Sequence, residues 1–202
     1  MKSILLSIRP EWVEKILNGE KTIEVRKQFP KDYVGWVYIY CTKDYKRDLY
    51  FDKQFDKSYF KNSKDDQTAY EFCLKMKTLN GKVVARFWCD KVETISLPYT
   101  YFGTNKWVSC ENERTLQTET IDEQELLKKS CISEEQIYKY LNFKKSPKQV
   151  GYAIHISKLE IFDEPRELSE FKFWKDKSEY GCWYENKLTK APQNYCYIEG
   201  EE

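Results

Sequence analysis

A lysine, a glutamate and an arginine fall within six positions of one another in Gly19-Glu20-Lys21-Thr22-Ile23-Glu24-Val25-Arg26. These side chains can hold an anion, pair with one another or handle a proton. Arg grips a phosphate through two parallel hydrogen bonds, and Lys does so as a compact charge. A carboxylate beside them can accept from a base amine or a ribose 2′-OH. The stretch reads as a strand, and strand side chains alternate faces. Ile23 and Val25 then point into a core, while Thr22, Glu24 and Arg26 share the other face. Such a row is either a surface ion pair or the floor of a binding cleft. The residues by themselves leave both readings open.

The elements around this row follow from the same kind of pattern. Ser3 to Ile8 reads as a buried strand. Pro10 suits a first helical turn, and Trp12, Val13, Ile16 and Leu17 make one apolar stripe. Gly19 supplies a left-handed stop before the Lys21–Lys27 strand. A third strand spans Gly35 to Thr42. Lys82 to Leu97 alternates as one long or bent strand. Thr120 with Glu123, and Ser133 with Gln136, form capping boxes that open helices near 121–130 and 134–142. Strand character returns from Gly151 to Phe162, with Tyr152, Ile154 and Ile156 on one face and Ala153, His155 and Ser157 on the other. Gly181–Tyr184 and Asn194–Glu199 look like a closing strand pair. Residues 43–80 and 98–148 read as insertions, the first holding a short helix near 67–79. The sum predicts one α+β, mostly β domain over 1–202. A small β-barrel decorated with helices fits best.

The composition narrows the class. Of 202 residues, 41% are hydrophobic and 16% aromatic, which excludes a disordered chain. The net charge of +1 implies no partner by itself. Charge is uneven along the chain. Residues 111–135 carry eight acids against three bases, and residues 139–158 carry five Lys and no acid. The basic strip can track a phosphate backbone or can be a solvated face. The seven Cys are odd in number, show no CxxC spacing and have one His for company, so a zinc site is not expected. They read as free thiols in a reducing compartment. No signal peptide and no apolar run of membrane-span length is apparent, so the expectation is a soluble cytoplasmic protein with no membrane partner.

The helix–Gly–strand unit resembles the ASCH domain of the PUA-like superfamily. Leu5-Leu6-Ser7-Ile8-Arg9-Pro10, the helix through Ile16, and Gly19-x-Lys21-x-x-Glu24-x-Arg26 carry the resemblance. Ser130-Cys131-Ile132-Ser133, then Tyr140, then Gly151-Tyr-Ala-Ile-His-Ile match the long form of that family. The resemblance implies a β-barrel whose cleft binds nucleic acid, RNA before DNA, or a nucleotide-like molecule. Lys21 and Arg26 would hold a phosphate, Arg9 would stand at the rim, and Thr22 and Glu24 would line the floor. Trp12, Trp183 and Tyr184 are candidates to stack a base, against the alternative of core packing. No cofactor or metal is implied.

Some members of that family are amidohydrolases of acylated cytidine-type nucleosides, with a motif resembling G-x-K-T-x-T-x-R. This chain keeps Lys21 and Thr22 but has Glu24 at the second Thr. If it were an enzyme, Lys21 and Glu24 would be the catalytic pair. Other members are nucleases, and a Lys/Glu/Arg cluster can support phosphodiester chemistry without a metal. The alternative to a binding module is therefore a small hydrolase of modified nucleosides or RNA using the same cleft. A protein partner through the insertions is a third reading. His155, the only His, reads as a strand-face residue. No P-loop, GxGxxG or HExxH occurs.

Overall fold

The computed structural model describes residues 1–44, 49, 78–96, 123–145, 149–174 and 187–201. Strand β1 (Lys2–Ile8) leads through Arg9 into helix α1 (Pro10–Leu17). Pro10 sits at the first helical position, and Val13, Ile16 and Leu17 form the buried stripe. Gly19, at φ 74°, turns the chain. Strand β2 (Ile23–Arg26) follows, then β3 (Gly35–Cys41).

The single strand expected over 82–97 is two strands. β4 (Val83–Cys89) and β5 (Val92–Ile95) part at Asp90-Lys91 and join different sheets. Helices α2 (Glu123–Ser130) and α3 (Glu134–Leu141) come next. The Ser133–Gln136 capping box forms as expected at α3. Thr120 of the other box lies outside the described residues. The strand expected over 151–162 is likewise two, β6 (Gly151–His155) and β7 (Ser157–Arg166), followed by a 3₁₀ turn (Leu168–Glu170) and β8 (Tyr195–Glu199). The expected strand at Gly181–Tyr184 and the helix near 67–79 fall almost wholly outside the described residues.

The strands make two sheets, in the orders β7-β4-β3-β1-β8 and β2-β6-β5. Among the described residues no ladder joins them into a closed barrel, so the expected barrel is replaced by a pair of packed sheets in a mixed α+β fold. β1 and β3 are parallel, with Ile8 opposite Cys41; the other pairings are antiparallel. One core joins Ile4, Leu6 and Ile8 of β1 to Val13 and Ile16 of α1 and to Ile154 of β6. A second joins Ile23, Val25 and Ala153 to Leu126, Ile137 and Leu141 of the two later helices. β6 therefore packs on both faces. Ala153, on the face opposite Tyr152 and Ile154 as expected, is buried because α2 and α3 cover that face. No helix among the described residues is long and apolar enough to cross a membrane.

Two core thiols set an alkaline limit. Cys41 and Cys89 are both fully buried, and burial pushes each up to about 12 from 9.0. Between those values the unfolded thiol is ionised and the folded one is not. Unfolding then releases protons, so stability falls as pH rises. Each thiol should cost at most about 1.4 kcal/mol per pH unit above 9. Urea unfolding at pH 8 and 10.5 should show the loss, and it should shrink in Cys41→Ala/Cys89→Ala. Equal midpoints at the two pH values would rule the thiols out.

Candidate functional site

Glu24 is the hub of the site. Its β2 position places it opposite Ile154 of β6, and only 4% of the residue is exposed. One carboxylate oxygen, Oε1, lies 2.9 Å from Arg26 Nε; the other, Oε2, lies 3.3 Å from Lys21 Nζ. Arg26 shares a face with Glu24, as a period of two requires. A terminal nitrogen of its guanidinium also donates to the Ser7 carbonyl at 2.6 Å, which ties β2 to β1.

Lys21 precedes the strand, so alternation does not govern it. Its side chain curls back onto the Glu24 face and is 1% exposed. Nζ donates to the Ser130 carbonyl at 2.6 Å. That carbonyl closes α2, where helix carbonyls lack partners and a cation is favoured. The Trp12 ring centroid lies 5.1 Å from Nζ. The three donors of the ammonium thus meet a carboxylate, a helix end and a ring face. Burial lowers the Lys21 pKa from its ordinary value, and Glu24 opposes that shift.

A cavity of about 1180 Å³ opens above this hub. Arg9, Trp12, Glu24 and Arg26 line it; Lys21 and Thr22 do not. Thr22 is held by its backbone instead. Its N–H donates to the Lys129 carbonyl at 2.9 Å, and its carbonyl accepts from Ile156 N–H at 2.9 Å. Trp12 does both things the sequence allowed: it packs on the main core and borders the cavity. Trp183 and Tyr184 lie outside the described residues.

Several lining residues carried no role in the sequence reading. Tyr140 of α3 lines the cavity, and Lys27 Nζ lies 5.3 Å from its ring centroid. Burial raises the Tyr140 pKa, although Arg26 works the other way. Gln136, Ser7, Tyr40, Lys43 and Lys190 border the same space. The spacing from Ser133 to Tyr140 was the available signal, because it puts Gln136 and Tyr140 four residues apart on one helix face. His155 stands away from the cleft. Its Nε2 lies 2.5 Å from Glu93 Oε2, and Lys91 Nζ lies 2.8 Å from Glu93 Oε1.

With this geometry in hand, solved structures give a match. The ASCH protein of Zymomonas mobilis aligns over 98% of this chain and 87% of that one, at 12% identity and a TM-score of 0.51. The chain has the ASCH fold. A Tyr-to-Phe mutant of the same Zymomonas protein aligns over 98% of this chain and 91% of that one, at 13% identity and a TM-score of 0.50. No family model and no curated protein matches the sequence. In this fold Glu24, Val25 and Arg26 of β2 border the cavity together with residues of β1, α1, β3 and α3. No group of three or more His, Cys, Asp or Glu positioned for a metal ion occurs among the described residues.

Proposed function

We propose that the cleft binds nucleic acid, RNA in preference to DNA, by enclosing one nucleotide against Glu24 and Arg26. The observation that carries this is the coupled Glu24–Arg26 pair on the floor of a cavity walled by Trp12 and Tyr140. Glu24 is held from both sides, so its free lone pairs have a fixed aim. A carboxylate so placed accepts from an exocyclic amine, as on cytosine. Trp12 offers a ring face, worth about 1–3 kcal/mol per stacked base. Arg26 and Arg9 supply positive charge on the same wall. We read residues 1–202 as one PUA-like domain, its two sheets an opened form of the barrel. Lys21 holds Glu24 in this scheme and does not touch the ligand.

Titration of short single- and double-stranded RNA and DNA and of a nucleotide panel, at 50 and 200 mM salt, tests the reading. Binding should weaken as salt rises, since displaced counterions drive it. Arg26→Ala should weaken it by about tenfold or more, the range of a lost charged hydrogen bond. Circular dichroism would confirm that the variant folds. No binding at 50 mM salt would sink the proposal.

A further inference from the structure

We propose that the end of the larger sheet carries a phosphate track, so that the ligand is a single-stranded oligonucleotide and not a free nucleoside. This rests on the cleft reading above and names the ligand class. The first ground is size. Pockets for small ligands measure about 300–1,000 Å³, and this cavity measures about 1180 Å³. One nucleoside at Glu24 leaves the rest of the space open.

The second ground is topology. β1 and β3 run parallel and end together, with Ile8 opposite Cys41 and Thr42 N–H donating to the Ile8 carbonyl at 2.8 Å. Arg9 follows Ile8 directly, and Lys43 comes two residues after Cys41. Strands lie about 4.7–4.9 Å apart. Both residues therefore reach the same cavity from this end of the sheet. The segment before β8 brings Lys190 to the same cavity. The stem of Lys43 runs across Gly81, where an added Cβ would come 2.9 Å from Lys43 Cε. Gly81 also has φ 81°.

The third ground is charge. Arg9, Lys43 and Lys190 are all exposed, and among the described residues their side chains have no ion-pair or hydrogen-bond partner. Near this end of the sheet, Lys82 pairs with Glu167 and Arg166 with Glu170 and Glu201; elsewhere Lys2 and Lys158 make ring contacts, to Tyr197 and Trp88. Glu11 and Glu167 also border the cavity, but Glu167 is already engaged by Lys82. Three unpaired cations around one cleft repel each other. A chain of phosphates relieves that repulsion, and a single uncharged nucleoside cannot.

The test compares cytidine with an oligocytidylate octamer, using wild type, Lys43→Glu/Lys190→Glu, and Lys158→Glu as a charge control. Lys158 lies at the opposite end of β7 from the cleft. Wild type should bind the octamer far more tightly than cytidine. The double variant should lose about tenfold or more on the octamer while cytidine binding stays within about twofold. Its salt slope should flatten by about 1.4, that is about 0.7 for each cation removed. Lys158→Glu should match wild type. Equal affinities for octamer and cytidine, or an octamer affinity unmoved by the double variant, would overturn the track and leave the cleft reading standing. Failure of both probes to bind would overturn both.

Discussion

Glu24→Ala should lower the free energy of unfolding by about 3–5 kcal/mol, the range for breaking a buried ion pair by removing one partner. Glu24 answers two cations, and one of them, Lys21, is 1% exposed. Without the carboxylate, Lys21 is a buried charge with only the Ser130 carbonyl and the Trp12 ring beside it. Arg26 suffers less, because it keeps the Ser7 carbonyl and is partly exposed. Lys21→Met/Glu24→Leu should recover most of the loss, since paired apolar residues of similar volume need no partner. The pH dependence has a defined sign. Lys21 has a folded pKa below 10.5, and loss of Glu24 lowers it further. Between the folded value and 10.5 the unfolded chain binds the extra proton, so stability of the variant rises with pH. Its deficit against wild type should therefore narrow toward pH 10.5. Urea unfolding of the three proteins at pH 7 and 9 reads this directly. A Glu24→Ala protein within about 1 kcal/mol of wild type at pH 7 would mean that Lys21 has another partner, contrary to the buried-pair cost used here.

Where the chain follows local rules, the sequence was enough. Pro10, Gly19 and the Ser133–Gln136 box act through neighbours a few residues away, and the elements they bound appear where expected. Period two put Glu24 and Arg26 on one face, because both lie inside β2. The same rule does not reach Lys21, because β2 begins at Ile23 and the lysine curls back before it. Its true partner, Ser130, is 109 residues away, and no local pattern encodes that distance. Ala153 shows a second limit. Alternation assumes one wet face, and β6 has none. The break at Asp90-Lys91 shows a third, since a run of alternating residues does not say which sheet each half joins. Arg9 was named because it borders the motif, whereas Lys43 and Lys190 reach the cleft only through sheet topology.

Wild-type protein should release no acetate from N4-acetylcytidine, and this is the sharpest division between a binding cleft and a hydrolase. Acyl transfer needs a group that attacks the carbonyl and a base that takes its proton. Lys21 has the position of the lysine in the resembling amidohydrolase motif, but its ammonium is fully engaged and is absent from the cavity wall. Thr22 is absent from the wall as well. Glu24 alone of the three faces the ligand. It could activate a water, yet both its oxygens already face cations at 2.9 and 3.3 Å. A general base must reach the proton it removes, within about 2.6–3.2 Å or through one water. A carboxylate so committed is better suited to accept a fixed hydrogen bond than to shuttle a proton. Acetate release by wild type, Glu24→Gln and Glu24→Thr, with urea midpoints for each, decides the matter. No turnover in wild type alongside measurable cytidine binding supports the binding cleft. Turnover in wild type that disappears in a folded Glu24→Gln protein would make Glu24 the base and the protein a hydrolase. Turnover gained only by Glu24→Thr would show that a hydroxyl at this position, with Lys21 released from its carboxylate, is enough to restore the reaction that Glu24 blocks.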